Sequence, residues 1–272
     1  MSTGTIDLTN LFQGAVDAND ISMATFNALG QQDLGADINA ALGVDVSELG
    51  MGENILLTAL IDDSSSIRFN GNTDNIRRGW NMCLKAVEDA KQRSNVLVRT
   101  VMMNAGQLHS YVPLDQAIRL SQQNYNPCGG TPLYDMAFKT IAGVMAKWLS
   151  NMNMGVQTRT ITGIITDGHD EGSREYRPSD NASLVRDLLA QKETNVVFGM
   201  GIDDGGTKFR DVFKSMGLSD EWILTPGNSE AEIRKCFELV SRTTQALSQG
   251  AMSFSQTAAT GFSGVGGGFG GI

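Results

Sequence analysis

The segment Leu56-Leu57-Thr58-Ala59-Leu60-Ile61-Asp62-Asp63-Ser64-Ser65-Ser66 constrains this chain more than any other. The run from Leu56 to Ile61 is apolar except for Thr58 and does not alternate with polar residues. It therefore reads as a strand buried on both faces, the kind found in a parallel sheet covered by helices on both sides. Its carboxyl end delivers Asp62, Ser64 and Ser66 into a single turn. In open α/β sheets that end of a strand is where ligands bind. A carboxylate and two hydroxyls are hard oxygen donors, the set that suits magnesium, manganese or calcium. The chain offers two complements to this set: Thr131 follows Gly129-Gly130, and Asp167 ends a second apolar strand, Ile161 to Thr166.

The patterning between these points alternates strand and helix. Strands are predicted over Asn54–Ile61, Val96–Met103, Leu108–Val112, Arg159–Thr166, Asn195–Ile202 and Trp222–Thr225. The short turn Asn104–Gln107 makes the second and third of these an antiparallel hairpin. Helices are predicted over Thr73–Arg93, Leu114–Gln123, Pro132 to about Met152, Ser179–Lys192, Lys208–Met216 and Ser229–Ser248. The last opens on the capping box Ser229-Glu230-Ala231-Glu232. The alternation implies one mostly parallel sheet with helices on both faces.

The pattern Asp62-x-Ser64-x-Ser66, followed by Thr131 and then Asp167, resembles the metal-ion-dependent adhesion site of von Willebrand factor type A (vWA) domains. Each part alone is a weak signal, whereas the three in order on strand, loop and strand are specific. The resemblance runs from about residue 52 to 248. Ser65 departs from the glycine often found there in intracellular relatives, at a position that supplies no side-chain ligand. The resemblance implies a three-layer αβα Rossmann-like vWA fold. Its six-stranded sheet would have the order 3-2-1-4-5-6, with strand 3 antiparallel. It also implies Mg2+, with Mn2+ or Ca2+ as substitutes, held by Asp62, Ser64, Ser66, Thr131 and Asp167 and completed by a carboxylate from a protein partner. Intracellular bacterial relatives, including those of tellurium-resistance operons, often act as adaptors beside AAA+ ATPases, and this chain is expected to be of that type.

Charge narrows the alternatives. The net charge is −9 and the isoelectric point about 4.7. A sequence-independent nucleic-acid binder needs a basic stripe, and an anionic membrane surface needs basic residues too. Neither partner is expected. No Lys or Arg precedes Arg68, and no long apolar stretch resembles a secretory signal or a membrane span. The three cysteines, Cys83, Cys128 and Cys236, form no C-x-x-C, which suits reduced thiols in the cytoplasm. The chain divides into an acidic N-terminal extension (1–50), the vWA domain (51–248) and a tail (249–272). In the extension, Asp17–Leu29 and Asp33–Leu42 have weak helical spacing. The tail has no charged residue, eight glycines and three phenylalanines, Phe254, Phe262 and Phe269. It is expected to be flexible and offers a route to self-association.

The site residues are expected to bind rather than to catalyse. The rival is a magnesium-dependent phosphohydrolase or phosphotransferase, since the haloacid-dehalogenase fold also begins with a strand ending in Asp. That family needs a second acid where Ser64 stands, and a lysine that Thr166–Ser173 does not contain. Asp63 is expected to face solvent or a backbone amide, and His169 and Asp170 to belong to a capping loop. Trp80 and Trp148 are expected in the core. Ile233, Phe237 and Val240 share one helical face and are expected to grip it.

Overall fold

In the computed structural model, which describes residues 7–30, 34–43, 53–89, 96–190 and 195–248, β1 (Asn54–Ile61) is the centre of a six-stranded sheet and is buried along its whole length. It pairs in parallel with β2 (Val96–Met102) on one side and β4 (Thr158–Thr166) on the other. β3 (Gly106–Pro113) runs antiparallel to β2, while β5 (Asn195–Gly201) and β6 (Ile223–Leu224) extend the parallel side. The order β3-β2-β1-β4-β5-β6 is the one the resemblance implied.

Alternate residues of β1 feed two cores. Ile55, Leu57, Ala59 and Ile61 pack with α5 (Thr73–Glu88) and α9 (Glu230–Ser248) through Trp80, Leu84, Ile233, Phe237 and Val240. Gly79 lets these helices approach closely, since a Cβ there would lie 2.2 Å from the Phe237 ring. On the other face Leu60 joins α6 (Leu133–Asn153), α7 (Pro178–Ala190) and α8 (Phe209–Ser215). Trp80 and Trp148 are both buried, and their indole N–H groups donate to Thr100 Oγ1 and the Thr158 carbonyl.

The described part of residues 1–50 is more ordered than its spacing suggested. It holds α1 (Leu8–Asp17), α2 (Met23–Gly30) and α3 (Gly35–Leu42). Asp7 caps α1 by accepting from the Asn10 amide at 3.1 Å. Leu11, Phe12, Leu29, Leu34 and Ile38 enter the same core as α6 and α7. The segment Asp17–Leu29 is not one helix, because Asn19 turns the chain at φ 63° between α1 and α2.

Other boundaries also differ. The helix expected over Leu114–Gln123 is only a 3-10 turn at Leu114–Gln116, after which Ala117 is extended. The backbone beyond it bonds to side chains instead: Asn81 pairs with both the N–H and C=O of Leu120, and Asn124 takes the Ser121 N–H and donates to the Arg119 carbonyl. A short helix that the sequence patterning did not predict, α4 (Ser65–Phe69), follows β1 directly. α5 ends at Glu88, earlier than expected; residues 90–93 and Lys192 lie outside the described residues, as does the tail 249–272.

Candidate functional site

The parallel pairing of β1 and β4 brings two strand ends together. Ile61 lies opposite Ile165, so Asp62 and Asp167 leave the sheet as neighbours. Both are fully buried. Asp62 Oδ1 accepts the Ser64 amide at 2.7 Å, and Oδ2 accepts the Thr166 hydroxyl at 2.6 Å. Asp167 Oδ1 accepts the Ser66 hydroxyl at 2.6 Å, and Oδ2 accepts from Asn70 at 3.0 Å. The Ser64 and Ser66 hydroxyl oxygens are 2.8 Å apart. α4 is what places them: Ser64 is its N-cap, Ser66 lies in its first turn and Asn70 closes it.

Thr131 arrives from the opposite side. It forms an antiparallel bridge with Glu171, with N···O distances of 3.0 and 2.8 Å. A Cβ on Gly168 would sit 3.6 Å from Thr131 Oγ1 and 3.8 Å from Ser66 Oγ, so both hydroxyls border the same small space. The two loop glycines are needed for this approach. Gly129 has φ 89°, and a Cβ on Gly130 would lie 2.7 Å from the Glu171 carbonyl. All five predicted residues therefore meet in one cluster.

Burial dominates its electrostatics. The Asp62 carboxyl is pushed up to about 6, chiefly by desolvation; hydrogen bonds from Ser64 and Thr166 hold it back, and the Asp167 charge adds to the rise. Asp167 is also raised by burial, opposed by its bonds from Ser66 and Asn70, with Asp204 adding repulsion. The leading influences on the two acids are burial, hydrogen bonds and other carboxylates. The donor set is thus two carboxylates and three hydroxyls. It contains no cluster of three or more His, Cys, Asp or Glu side chains, and none occurs elsewhere among the described residues. Such a set suits a hard divalent cation rather than a soft one.

Several supporting residues have no place in the sequence motif. Tyr125 donates its hydroxyl to the Asp62 carbonyl at 2.6 Å. Asp135 accepts the amides of Arg174, Glu175 and Tyr176 at 2.8 to 3.0 Å, fastening the loop after β4 to the start of α6. Asn70 carries a local signal, four residues after Ser66 and so on the same side of α4; Tyr125 and Asp135 carry none. Asp63 does face backbone amides, those of Asn104 and Ala105 at 2.7 and 3.0 Å. Asp170 accepts the Tyr134 amide at the start of α6, and His169 is exposed. Cys128 is exposed in the Thr131 loop, whereas Cys83 and Cys236 are buried and their thiols are pushed up to about 12 by desolvation.

A parallel sheet with one antiparallel edge strand, helices on both faces and this strand order is the vWA form of the Rossmann-like fold. No protein-family model matches the chain, and no curated protein sequence matches it. Among solved structures it is similar to the pilus adhesin SpaC of Lactobacillus rhamnosus GG in its open conformation. The identity there is 11%, covering 73% of this chain, with a TM-score of 0.51. This chain spans only 31% of the adhesin's length, and at such identity the likeness is one of fold. It also resembles the vWF domain of the type V pili tip protein Mfa5 of Porphyromonas gingivalis. The identity is 11% over 70% of this chain and 94% of that one, with a TM-score of 0.47. A third similar structure is proximal thread matrix protein 1 of the mussel byssus with a zinc-occupied MIDAS motif. The identity is 16% over 72% of this chain and 47% of that one, with a TM-score of 0.43. No described helix is long and apolar enough to cross a membrane.

Proposed function

We propose that this protein is a divalent-metal-dependent interaction module that binds a carboxylate of a protein partner. The observation that carries this reading is the pair Asp62 and Asp167, fully buried at adjacent strand ends among hydroxyls, with no ion pair to either among the described residues. A dication is the partner that such a pair lacks. Asp62, Ser64, Ser66, Thr131 and Asp167 would hold Mg2+, with Mn2+ or Ca2+ as substitutes. When bound, the ion would supply a Lewis-acidic position that accepts an Asp or Glu oxygen. The residues themselves do the rest. Thr166 and the Ser64 amide orient Asp62, Asn70 orients Asp167, and the Thr131–Glu171 bridge fixes the loop that closes the site.

The module reading, as opposed to phosphoryl transfer, rests on Ser64 standing where that chemistry needs a second acid. Resemblance supports the narrower form, a cytoplasmic adaptor beside an AAA+ ATPase or in a tellurium-resistance complex, and the net charge of −9 speaks against nucleic acid or an anionic membrane as partner. In it residues 51–248 are the binding domain, and the tail 249–272 is a means of self-association. Calorimetry tests the ion assignment directly. Mn2+ is expected to bind at one site per chain and to lose measurable binding in Asp62→Ala. Unchanged Mn2+ affinity in that variant would overturn the reading.

A further inference from the structure

One side of the cluster carries a feature that ion binding does not need. Phe69 ends α4, three residues after Ser66, and is 76% exposed, the highest value among the exposed large hydrophobic residues of the described chain. Residues three apart on a helix lie on the same side, so Phe69 stands beside the hydroxyl that reaches Asp167. It is also held there. The Asn70 side chain donates to Asp167 Oδ2 at 3.0 Å, and the Asn70 carbonyl accepts from Asn228 at 3.2 Å. The residue next to the ring is thus tied through both its side chain and its carbonyl, which opposes withdrawal of the ring into the core. The Arg68 guanidinium lies over the ring, 5.2 Å from its centroid. Arg68 is exposed and makes no ion pair among the described residues.

We propose that Arg68 and Phe69 form a cation–aromatic platform that selects acidic peptide segments with an aromatic residue next to the carboxylate bound at the Asp62–Asp167 cluster. This rests on the metal-dependent reading above and names its partner class. Charge favours such an occupant. In a chain of net charge −9, a guanidinium without an ion-pair partner, beside a site built for a dication, makes an anion-attracting patch. Position favours it as well, because Phe69 is exposed on the same short helix as Ser66, so an aromatic ring next to the bound carboxylate would cover exposed apolar surface by stacking on it. The chain's own residues 249–272 do not offer the pair, since they have phenylalanines but no acidic side chain.

The test uses two synthetic peptides and the full chain with Mg2+. One is a short Gly/Ser peptide with a single glutamate, and the other is the same peptide with phenylalanine beside the glutamate. Affinities are read by fluorescence anisotropy with and without EDTA, for wild type, Phe69→Ala and Arg68→Ala. Both replaced residues are exposed, and circular dichroism with Mn2+ calorimetry checks that each variant keeps its fold and its ion. The aromatic peptide is expected to bind wild type about tenfold more tightly than the plain one. That advantage should vanish in Phe69→Ala and shrink in Arg68→Ala, while Mn2+ affinity stays at the wild-type value. Equal binding of the two peptides to wild type, or an advantage that survives Phe69→Ala, would overturn the platform and leave the ion reading standing. Failure of wild type to bind Mn2+ would overturn both.

Discussion

Ser66 donates its hydroxyl hydrogen to Asp167 at 2.6 Å, joining segments 101 residues apart in the chain. This contact is the shortest link between the α4 side of the site and the β4 side. Its partner is a buried carboxylate, so removing it leaves Asp167 Oδ1 without this donor while Asn70 still serves Oδ2. Ser66→Ala is expected to cost the metal-free protein about 2 kcal/mol and to weaken Mn2+ binding as well. Denaturant melts with EDTA, paired with Mn2+ titration, check both. A variant as stable as wild type would show that Asn70 alone satisfies Asp167.

The raised pKa of Asp62 makes metal-free stability depend on pH. The native carboxyl titrates near 6, against an ordinary value of 3.8. Below 3.8 both states are protonated and the native state keeps the full benefit of a neutral buried acid. As pH rises through about 6 the native group must ionise in a buried site, and that benefit is lost. The difference corresponds to about 3 kcal/mol. In EDTA, the Asp62 contribution should therefore fall between pH 4 and 7. Saturating Mg2+ is expected to restore stability by mass action. Asp62→Asn should remove the pH-dependent loss. An asparagine can still accept from the Ser64 amide and donate to Thr166 Oγ1, whose own hydrogen can turn to the Gly168 carbonyl at 3.1 Å. Melting curves of both proteins in EDTA across this range test it. A wild-type protein that melts no lower at pH 7 than Asp62→Asn would count against the buried-charge account.

The amino-acid sequence makes the sheet and the five-residue cluster largely legible, for a physical reason. β1 is buried along its whole length and β4 at every position but Arg159, so both are rich in apolar residues with little alternation, and the strand order that the resemblance implies puts their ends together. The five oxygen-bearing residues sit at those ends or beside paired glycines, where one-dimensional spacing reports three-dimensional position. The parts that are not legible depend on contacts distant in sequence. Residues 114–123 read as helical, but Asn81 and Asn124 capture the backbone that a helix would use. Asp135 recognises three amides about forty residues away, which no local pattern encodes. α1 is a different case, since Leu8, Leu11, Phe12, Ala15 and Val16 have helical spacing behind an Asp7 cap. Its signal is local and lies ahead of the helical spacing at Asp17–Leu29.

Asp135 provides a separate test of how the loops are held. Its carboxylate takes three backbone amides, and Tyr176 in the same segment stacks on Phe138 with ring centroids 3.9 Å apart. Asp135→Ala strands those amides at a largely buried position. It is expected to cost about 3 kcal/mol and to lower the melting temperature by about 10 °C. Asp135→Asn should lose less, because one amide oxygen still accepts. Thermal melts of both variants decide the matter, and equal melting of Asp135→Ala and wild type would mean water replaces the carboxylate.

The last expectation concerns the glycine beside Thr131. Gly130 donates no side chain to the site, yet a Cβ there would press to 2.7 Å from the Glu171 carbonyl, a backbone atom that cannot swing aside as a side-chain tip would. That carbonyl is the acceptor of the Thr131 amide at 3.0 Å, so the strain falls on the bridge that positions the threonine hydroxyl. The Gly130 carbonyl also accepts from Asn104 at 2.9 Å, which opposes movement of the loop in the other direction. Gly130→Ala is therefore expected to push Thr131 away from Ser66 and Gly168 while leaving the core intact. The fold should survive with a melting temperature within a few degrees of wild type, since the loop is at the surface of the sheet's end. Mn2+ affinity should fall about tenfold or more, because one of five donors is displaced and the other four remain. Thr131→Ala, which removes the hydroxyl without straining the backbone, should produce a similar loss of affinity. Calorimetric titration of both variants distinguishes the possibilities. Matching losses would place the effect at the threonine oxygen. Wild-type affinity in both would exclude Thr131 from the ion's ligands.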